Sequence, residues 1–189
     1  RGGHMNVAAL FALTASLNAV TKFAAMPMRA HGNDAGADSV MSWQTGYQFG
    51  VDFTRGFPRT NPGEFTAVDL LVRHEADAAL ILAADPWTTM PQAAVDHLNR
   101  IPVVVIDRRT MPPRGTARVH FTTAAPGISA PGTAYRMDKV PITMRPAVHS
   151  PHSTDEDVLR GIYDAVSRRR DYAVHTRSSP RPGTLASPV

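Results

Sequence analysis

Ala78-Ala79-Leu80-Ile81-Leu82-Ala83-Ala84 is an unbroken apolar run closed by Asp85-Pro86, and Pro102-Val103-Val104-Val105-Ile106 is a second run closed by Asp107. Both are short, continuous and bounded by turn residues, which predicts two buried strands. Between them a helix is expected over about 90–99, with Thr88 and Thr89 as N-cap candidates and Pro91 in the first turn. Two strands joined by a helix within about 30 residues define a right-handed βαβ crossover. Strands that are apolar throughout, instead of alternating, predict a parallel sheet covered on both faces. The expected fold class is α/β, a parallel sheet of Rossmann-like βαβ units.

Outward from this unit, Phe65, Val68, Leu71 and Val72 recur at helical steps, and Val119 and Phe121 alternate as in a further strand. Towards the N-terminus, Val7, Leu10, Leu13, Leu17 and Val20 predict an amphipathic helix over about 5–20. Residues 22–28 read as a short buried strand, and His31-Gly32-Asn33-Asp34-Ala35-Gly36 as a turn-rich loop. Residues 43–64 read as loop, because four Gly and two Pro interrupt Trp43, Tyr47, Phe49, Phe53 and Phe57. Residues 126–150 read as loop and short hairpins. Ser153 and Glu156 have capping-box spacing ahead of a helix whose buried stripe is Val158, Leu159, Ile162, Tyr163 and Val166. Arg168, Arg169 and Arg170 fall at its C-terminal end, where the helix dipole favours cations. There is no internal repeat.

The length of 189 residues suits one domain, and 43% apolar residues suffice for a core. With no Cys, these residues form no disulfide, thiolate zinc site or iron–sulfur cluster, although eight His leave metal binding open. The apolar runs are far shorter than the roughly 20 residues that span a bilayer, so no membrane partner is expected. The net charge of +4 points towards nucleic acid, but residues 168–189 hold five Arg against one Asp. The rest of the chain is therefore neutral and a poor match for a phosphate backbone, so no nucleic-acid partner is expected. Residues 1–166 are expected to form the folded part and 167–189 a basic, disordered tail rich in Ser, Pro and Gly. The opening Arg1-Gly2-Gly3-His4-Met5 lacks both an initiator Met and a signal-peptide layout. The expected location is the cytoplasm, and the sequence reads as starting partway along a longer protein.

In open α/β sheets, ligands sit beyond the carboxyl ends of the strands. Here those ends carry Ala84-Asp85-Pro86 and Asp107, with Asp85 and Asp107 22 residues apart. Either they hold a nucleotide, with phosphate at the N-terminus of the following helix, or they only terminate strands. No G-x-G-x-x-G accompanies them, so an ordinary NAD fingerprint is excluded. Gly32-Asn33-x-x-Gly36 is either an amide-lined phosphate contact or a plain turn. Trp43, Gln44 and Thr45 either stack on a flat heterocycle or belong to a packed loop. Arg55 and Arg59 either bind an anion or pair with Asp52 and Glu64. His149-x-x-His152 with Asp155 is either a metal pair or a solvated loop. Gly127–Gly132 followed by Thr133 has Walker-like spacing but no Lys, which removes an ATPase reading.

The stretch Trp43-Gln44-Thr45-Gly46-Tyr47-x-Phe49-x-Val51-Asp52-Phe53-x-Arg55-Gly56-Phe57-Pro58-Arg59-x-Asn61-Pro62-Gly63-Glu64 resembles the B subunit of formylmethanofuran dehydrogenase. Ala84-Asp85-Pro86, Ile101-Pro102-Val103 to Asp107, and Gly132-Thr133-Ala134-Tyr135-Arg136-Met137-Asp138-Lys139-Val140-Pro141-Ile142 extend the likeness over residues 3–166. The resemblance implies the C-terminal half of a molybdopterin-oxidoreductase fold of the formate dehydrogenase type, with a loop-rich C-terminal part. It implies a bis-molybdopterin guanine dinucleotide with tungsten or molybdenum, and interconversion of formyl-methanofuran with formate or carbon dioxide. His31, Gly32, Asn33 and Gly36 are similar to a segment lying against a pterin. Trp43, Gln44, Thr45 and Gly46 join the same cofactor-binding set, and Ala84, Asp85, Pro86 and Asp107 resemble strand ends that hold a guanine dinucleotide. No catalytic residue and no metal ligand is implied within this chain, which alone is expected to be inactive. The partners implied are the other subunits of such a complex. The alternative is a non-redox scaffold subunit of a bacterial formyltransferase/hydrolase complex with an empty crevice.

Overall fold

The computed structural model describes residues 3–26, 32–61, 63–109, 117–136 and 138–178. In chain order its helices are α1 (Gly3–Asn18), α2 (Asp34–Thr45), α3 (Ala67–Val72), α4 (Pro86–Thr89), α5 (Gln92–Leu98) and α6 (Asp155–Ser178). Its strands are β1 (Val51–Asp52), β2 (Arg59–Thr60), β3 (Ala79–Leu82), β4 (Val103–Asp107), β5 (Val119–Thr122), β6 (Gly132–Tyr135) and β7 (Pro141–Met144). Contacts divide the chain into two units, residues 1–48 with 133–142, and residues 49–132 with 143–189.

The second unit holds the expected βαβ element. β3 and β4 pair in parallel with Leu80 opposite Val104 and Leu82 opposite Ile106, and β5 adds in parallel on the other side of β4. The result is an α/β unit with a three-stranded parallel sheet in the order β3-β4-β5. Its core joins Leu71 of α3 and Ala94 and Leu98 of α5 to Ile81, Val103 and Val105, while Trp87, Met90 and Ile101 pack at its margin. β4 is central, so both its edges are hydrogen-bonded, and Val103, Val105 and Ile106 are completely buried.

The second face of the sheet departs from expectation. Neighbours in register share a face, so Leu80, Val104 and Val119 lie together, as do Leu82, Ile106 and Phe121. α6 contacts β4, and Ile106 is fully buried, but Leu80, Leu82, Val119 and Phe121 remain 37–49% exposed. Cover is complete on the α3/α5 side and partial here.

Several local expectations are corrected. Thr88 and Thr89 do not cap a helix; their hydroxyls donate to the Asp85 carbonyl, and α4 begins at Pro86. Pro91 then precedes α5 as its N-cap residue. The capping box lies one residue later than predicted: the Asp157 N–H donates to Thr154 Oγ1, and the Thr154 N–H donates to the Asp157 carboxylate. The Ser153 carbonyl is instead engaged by the Ala124 N–H. α6 continues past Arg170 to Ser178, so the 166/167 boundary falls inside a helix. Tyr163 and Val166, expected in its buried stripe, are exposed. Residues 179–189 lie outside the described residues.

In the first unit, α1 starts and ends two residues earlier than predicted and buries no face; Met5, Val7, Leu10, Phe11 and Leu13 are all exposed. Thr14, Ser16 and Asn18 turn their side chains onto the carbonyls four residues back. The strand expected at 22–28 is absent over the described residues 22–26, which are exposed. Asn18 explains this: its amide donates to the Phe23 carbonyl and accepts the Phe23 N–H, taking the groups a strand would use. Trp43, Gln44 and Thr45 are not loop residues but the last turn of α2. Gly46, left-handed at φ 85, ends that helix by donating its N–H to the Ser42 carbonyl.

Leu98 is 1% exposed and sits between α3 and the sheet. Leu98→Ala is expected to lower stability by about 2–5 kcal/mol, read from the midpoint of urea unfolding followed by circular dichroism.

Candidate functional site

The strand ends of the second unit bring Ala84, Asp85, Pro86 and Asp107 together. The β3–β4 ladder continues one step beyond the strand, where Ala83 donates its N–H to the Ile106 carbonyl at 2.9 Å. Ala83 is left-handed at φ 50, an uncommon conformation for a residue with a Cβ, and this turns the chain sharply out of the sheet. Ala84 is exposed, Asp85 half-buried, and Pro86 buried at the first position of α4. Asp85 Oδ1 is shielded from water and receives no hydrogen bond among the described residues. A buried acceptor without a donor is costly, so this oxygen is a place where a ligand N–H or O–H would be favoured.

Asp107 is 4% exposed and is held by Arg109. The guanidinium donates from Nε at 2.8 Å and from Nη2 at 2.6 Å to Oδ2, and the Arg109 backbone N–H donates to Oδ1 at 3.2 Å. Burial alone would push the Asp107 carboxyl up, but the Arg109 side chain, its N–H and its charge outweigh this and hold it below 3.8. Asp85 adds to the negative field on Arg109, whose guanidinium is raised chiefly by the Asp107 hydrogen bonds. The crevice thus holds the Asp107–Arg109 ion pair with Asp85 in its field and, among the described residues, one acceptor unfilled. Sequence reasoning missed Arg109, although the spacing Asp107-x-Arg109 just beyond a strand was available as a signal.

The remaining predicted residues lie in the first unit. Asn33, left-handed at φ 62, precedes α2. Its amide donates to the Thr133 carbonyl at 2.9 Å, and its Oδ1 accepts the Tyr135 N–H at 2.7 Å. That clasp joins the turn to β6 across a hundred residues, and it explains Gly36, where a Cβ would lie 2.6 Å from Asn33 Oδ1. The turn at Gly32, Asn33 and Gly36 therefore has a structural task of its own. His31 lies outside the described residues.

Trp43 is 64% exposed and lines a cavity of about 420 Å³ with Asp38, Ser39, Ser42, Gln48 and Lys139. Gln44 is exposed and does not line it. Thr45 is occupied internally, donating to the Met41 carbonyl and accepting the Tyr47 N–H.

Two other candidates resolve as local structure. Arg59 pairs with Asp52 and lies 5.0 Å from the centre of the Phe65 ring, while Glu64 accepts from Asn61. His149 and His152 are exposed, Asp155 accepts from Thr123 at 2.5 Å, and no metal-ligating cluster occurs among the described residues. No described helix is long and apolar enough to cross a membrane.

The fold is of the α/β class with a parallel sheet, and in open sheets of that class ligands gather beyond the carboxyl ends of the strands, where this chain places Asp85 and Asp107. No family profile matches the chain. It is 47% identical over 162 residues to the B subunit of tungsten-containing formylmethanofuran dehydrogenase 2 from Methanocaldococcus jannaschii, covering 85% of this chain and 37% of that protein. It is 37% identical over 172 residues to the protein of the same name from Methanococcus maripaludis, covering 90% of this chain and 40% of that one. Among solved structures it is similar to a chain of the formyltransferase/hydrolase complex (FhcABCD) from Methylorubrum extorquens, solved in complex with methylofuran. That likeness has a TM-score of 0.70 at 27% identity, covering 85% of this chain and 44% of that one. The chain is homologous to the B subunit of formylmethanofuran dehydrogenase and spans about two fifths of the length of those curated relatives.

Two outcomes test this geometry. Gly36→Ala is expected to cost about 1–3 kcal/mol, and clearly less when Asn33→Gly has removed the obstructing amide, as read by a double-mutant cycle in urea. Asp107, lowered in the folded state, contributes stability above 3.8 that disappears as pH falls through its folded value. Arg109→Met removes the guanidinium and leaves only backbone N–H groups to oppose burial, and is expected to cost about 1 kcal/mol above that range. Parent and variant should converge in acid, which unfolding midpoints across a pH series would show.

Proposed function

We propose that this chain is a portion of the B subunit of a formylmethanofuran dehydrogenase-type complex, acting in one-carbon metabolism to interconvert formyl-methanofuran with formate or carbon dioxide. Its contribution is half of a cradle for a pterin guanine dinucleotide carrying tungsten or molybdenum, in a molybdopterin-oxidoreductase type of α/β fold. The observation that carries this reading is the unfilled Asp85 acceptor beside the Asp107–Arg109 pair, in a chain homologous to tungsten-containing enzymes.

Asp85 and Asp107 fit the group through their acceptor oxygens. A guanine edge offers N–H donors, and a carboxylate accepts them. Asp85 would offer its unfilled oxygen to that edge, while Arg109 keeps Asp107 ionised and fixed. Pro86 gives no N–H at the start of α4, so the crevice favours donors over phosphate at that point. In the first unit, the Asn33 clasp orients the turn that the resemblance assigns to the pterin, and Trp43 offers an exposed indole for stacking. When bound, the metal and its pterins would supply the two-electron chemistry. With no Cys in 189 residues, a thiolate ligand to that metal comes from another polypeptide stretch. Partner subunits handle the formyl group and its carrier, and the complex works in the cytoplasm. The cofactor-facing part lies within residues 1–166, and the basic residues from Arg168 onward continue from α6.

The likeness to the FhcABCD complex favours a second reading, in which the same scaffold serves a formyltransferase/hydrolase assembly with the crevice empty. One experiment separates the two. Metal analysis and guanine nucleotide release are measured on the complex purified with its partner subunits, for the parent and for Asp85→Asn. The first reading expects stoichiometric tungsten or molybdenum and guanine nucleotide in the parent. It expects a several-fold loss of both in the variant with no loss of thermal stability, since Asp85 Oδ1 holds no hydrogen bond among the described residues. A parent complex that assembles without metal or pterin overturns it in favour of the second.

A further inference from the structure

We propose that Arg108 holds the diphosphate of the dinucleotide cradled at the strand ends. The inference rests on the cradle reading of Asp85 and extends it to the anionic part of the ligand. A guanine dinucleotide brings a base edge with N–H donors and a diphosphate with negative charge. The Asp85 carboxylate suits the first and would repel the second.

In open α/β sheets the phosphate ordinarily rests on the N-terminus of the helix that follows the strand. That device is missing after β3. α4 has four residues, too few for a sizeable dipole, and Pro86 at its start carries no N–H. The Thr88 N–H donates back to the Asp85 carbonyl at 3.3 Å, and α5 is only seven residues long and follows Pro91. The exit of β4 gives no amide nest either. The Asp107 carboxylate itself takes the N–H groups of Arg108 and Arg109, and the Thr123 N–H donates to the Asp107 carbonyl at 3.0 Å. These backbone donors are all engaged within the chain.

A countercharge for the diphosphate must then come from side chains. Asp85 and Asp107 place two carboxylates at the exits, and Arg109 answers Asp107 through both Nε and Nη2. One negative charge remains, which disfavours an anion. Arg108 lies in the chain between the two members of that ion pair. It is exposed, and its guanidinium enters no hydrogen bond or ion pair among the described residues. Arg100 and Arg118 instead precede β4 and β5, at the amino ends of the strands, and Arg73 is held by Glu75. A guanidinium presents a planar fork of N–H donors that matches phosphate oxygens. The adjacent arginines thus divide two tasks: Arg109 fixes a carboxylate, and Arg108 supplies the cation that the crevice otherwise lacks.

The test uses the complex purified with its partner subunits, as parent, Arg108→Gln, Arg108→Lys and Asp85→Asn. The rate at which guanine nucleotide leaves the complex is measured at a fixed temperature below unfolding, in low and in high salt. In low salt Arg108→Gln is expected to release nucleotide roughly tenfold faster than the parent, or to be purified with correspondingly less of it. Arg108→Lys, which keeps the charge and loses the fork, should fall between the two. Salt should speed release from the parent and leave Arg108→Gln nearly unchanged, because the charge that salt screens is gone. Parental content and release in Arg108→Gln overturn the proposal, and fast release from Asp85→Asn in the same series then leaves the cradle reading standing. Faster release from Arg108→Gln with the parental salt dependence assigns the effect to packing and overturns the proposal as well. A parent complex without guanine nucleotide overturns both.

Discussion

The parallel pairing of β4 with a strand on each side is the constraint on which the second unit depends. A central strand uses every backbone N–H and carbonyl within the sheet, so its side chains are free to be wholly apolar. Val103, Val105 and Ile106 are fully buried as a result. The same pairing fixes where the strands stop. Because Leu82 lies opposite Ile106, the chain leaves β3 through Ala83 beside the end of β4, and Asp85 comes to rest near Asp107 and Arg109. The crevice is a product of register before it is a product of its own side chains.

Charge in that crevice is arranged unequally. Asp107 is enclosed and answered by a guanidinium on its own strand exit, which lets a carboxylate stay ionised where burial opposes it. Asp85 has no such answer at Oδ1 among the described residues. A folded chain carries a cost at that atom, and functional sites are where such costs are tolerated.

Much of this was legible in the residues. The βαβ unit followed from two apolar runs with turn residues between them, and the relationship to formylmethanofuran dehydrogenase followed from the motif running from Trp43 to Glu64. What the residues concealed was mostly side-chain competition for backbone groups. Asn18 took the hydrogen bonds of the strand expected after α1, and Thr154 took the capping role expected of Ser153. Trp43 to Thr45 looked like loop because glycines crowd the stretch, yet only Gly46 interrupts the helix there. The clasp from Asn33 to Thr133 and Tyr135 had no local signal, since its two sides lie a hundred residues apart. The open sheet face was hidden for another reason. Continuous apolar strands state that cover is needed without stating which polypeptide supplies it.

The Asn33 clasp has an evolutionary consequence. With its amide held by two backbone groups of β6, the space above residue 36 is permanently filled. A side chain at 36 meets an obstacle that a change at 33 would remove, while a change at 33 gives up two hydrogen bonds to β6, so the cost of altering either position depends on the residue held at the other.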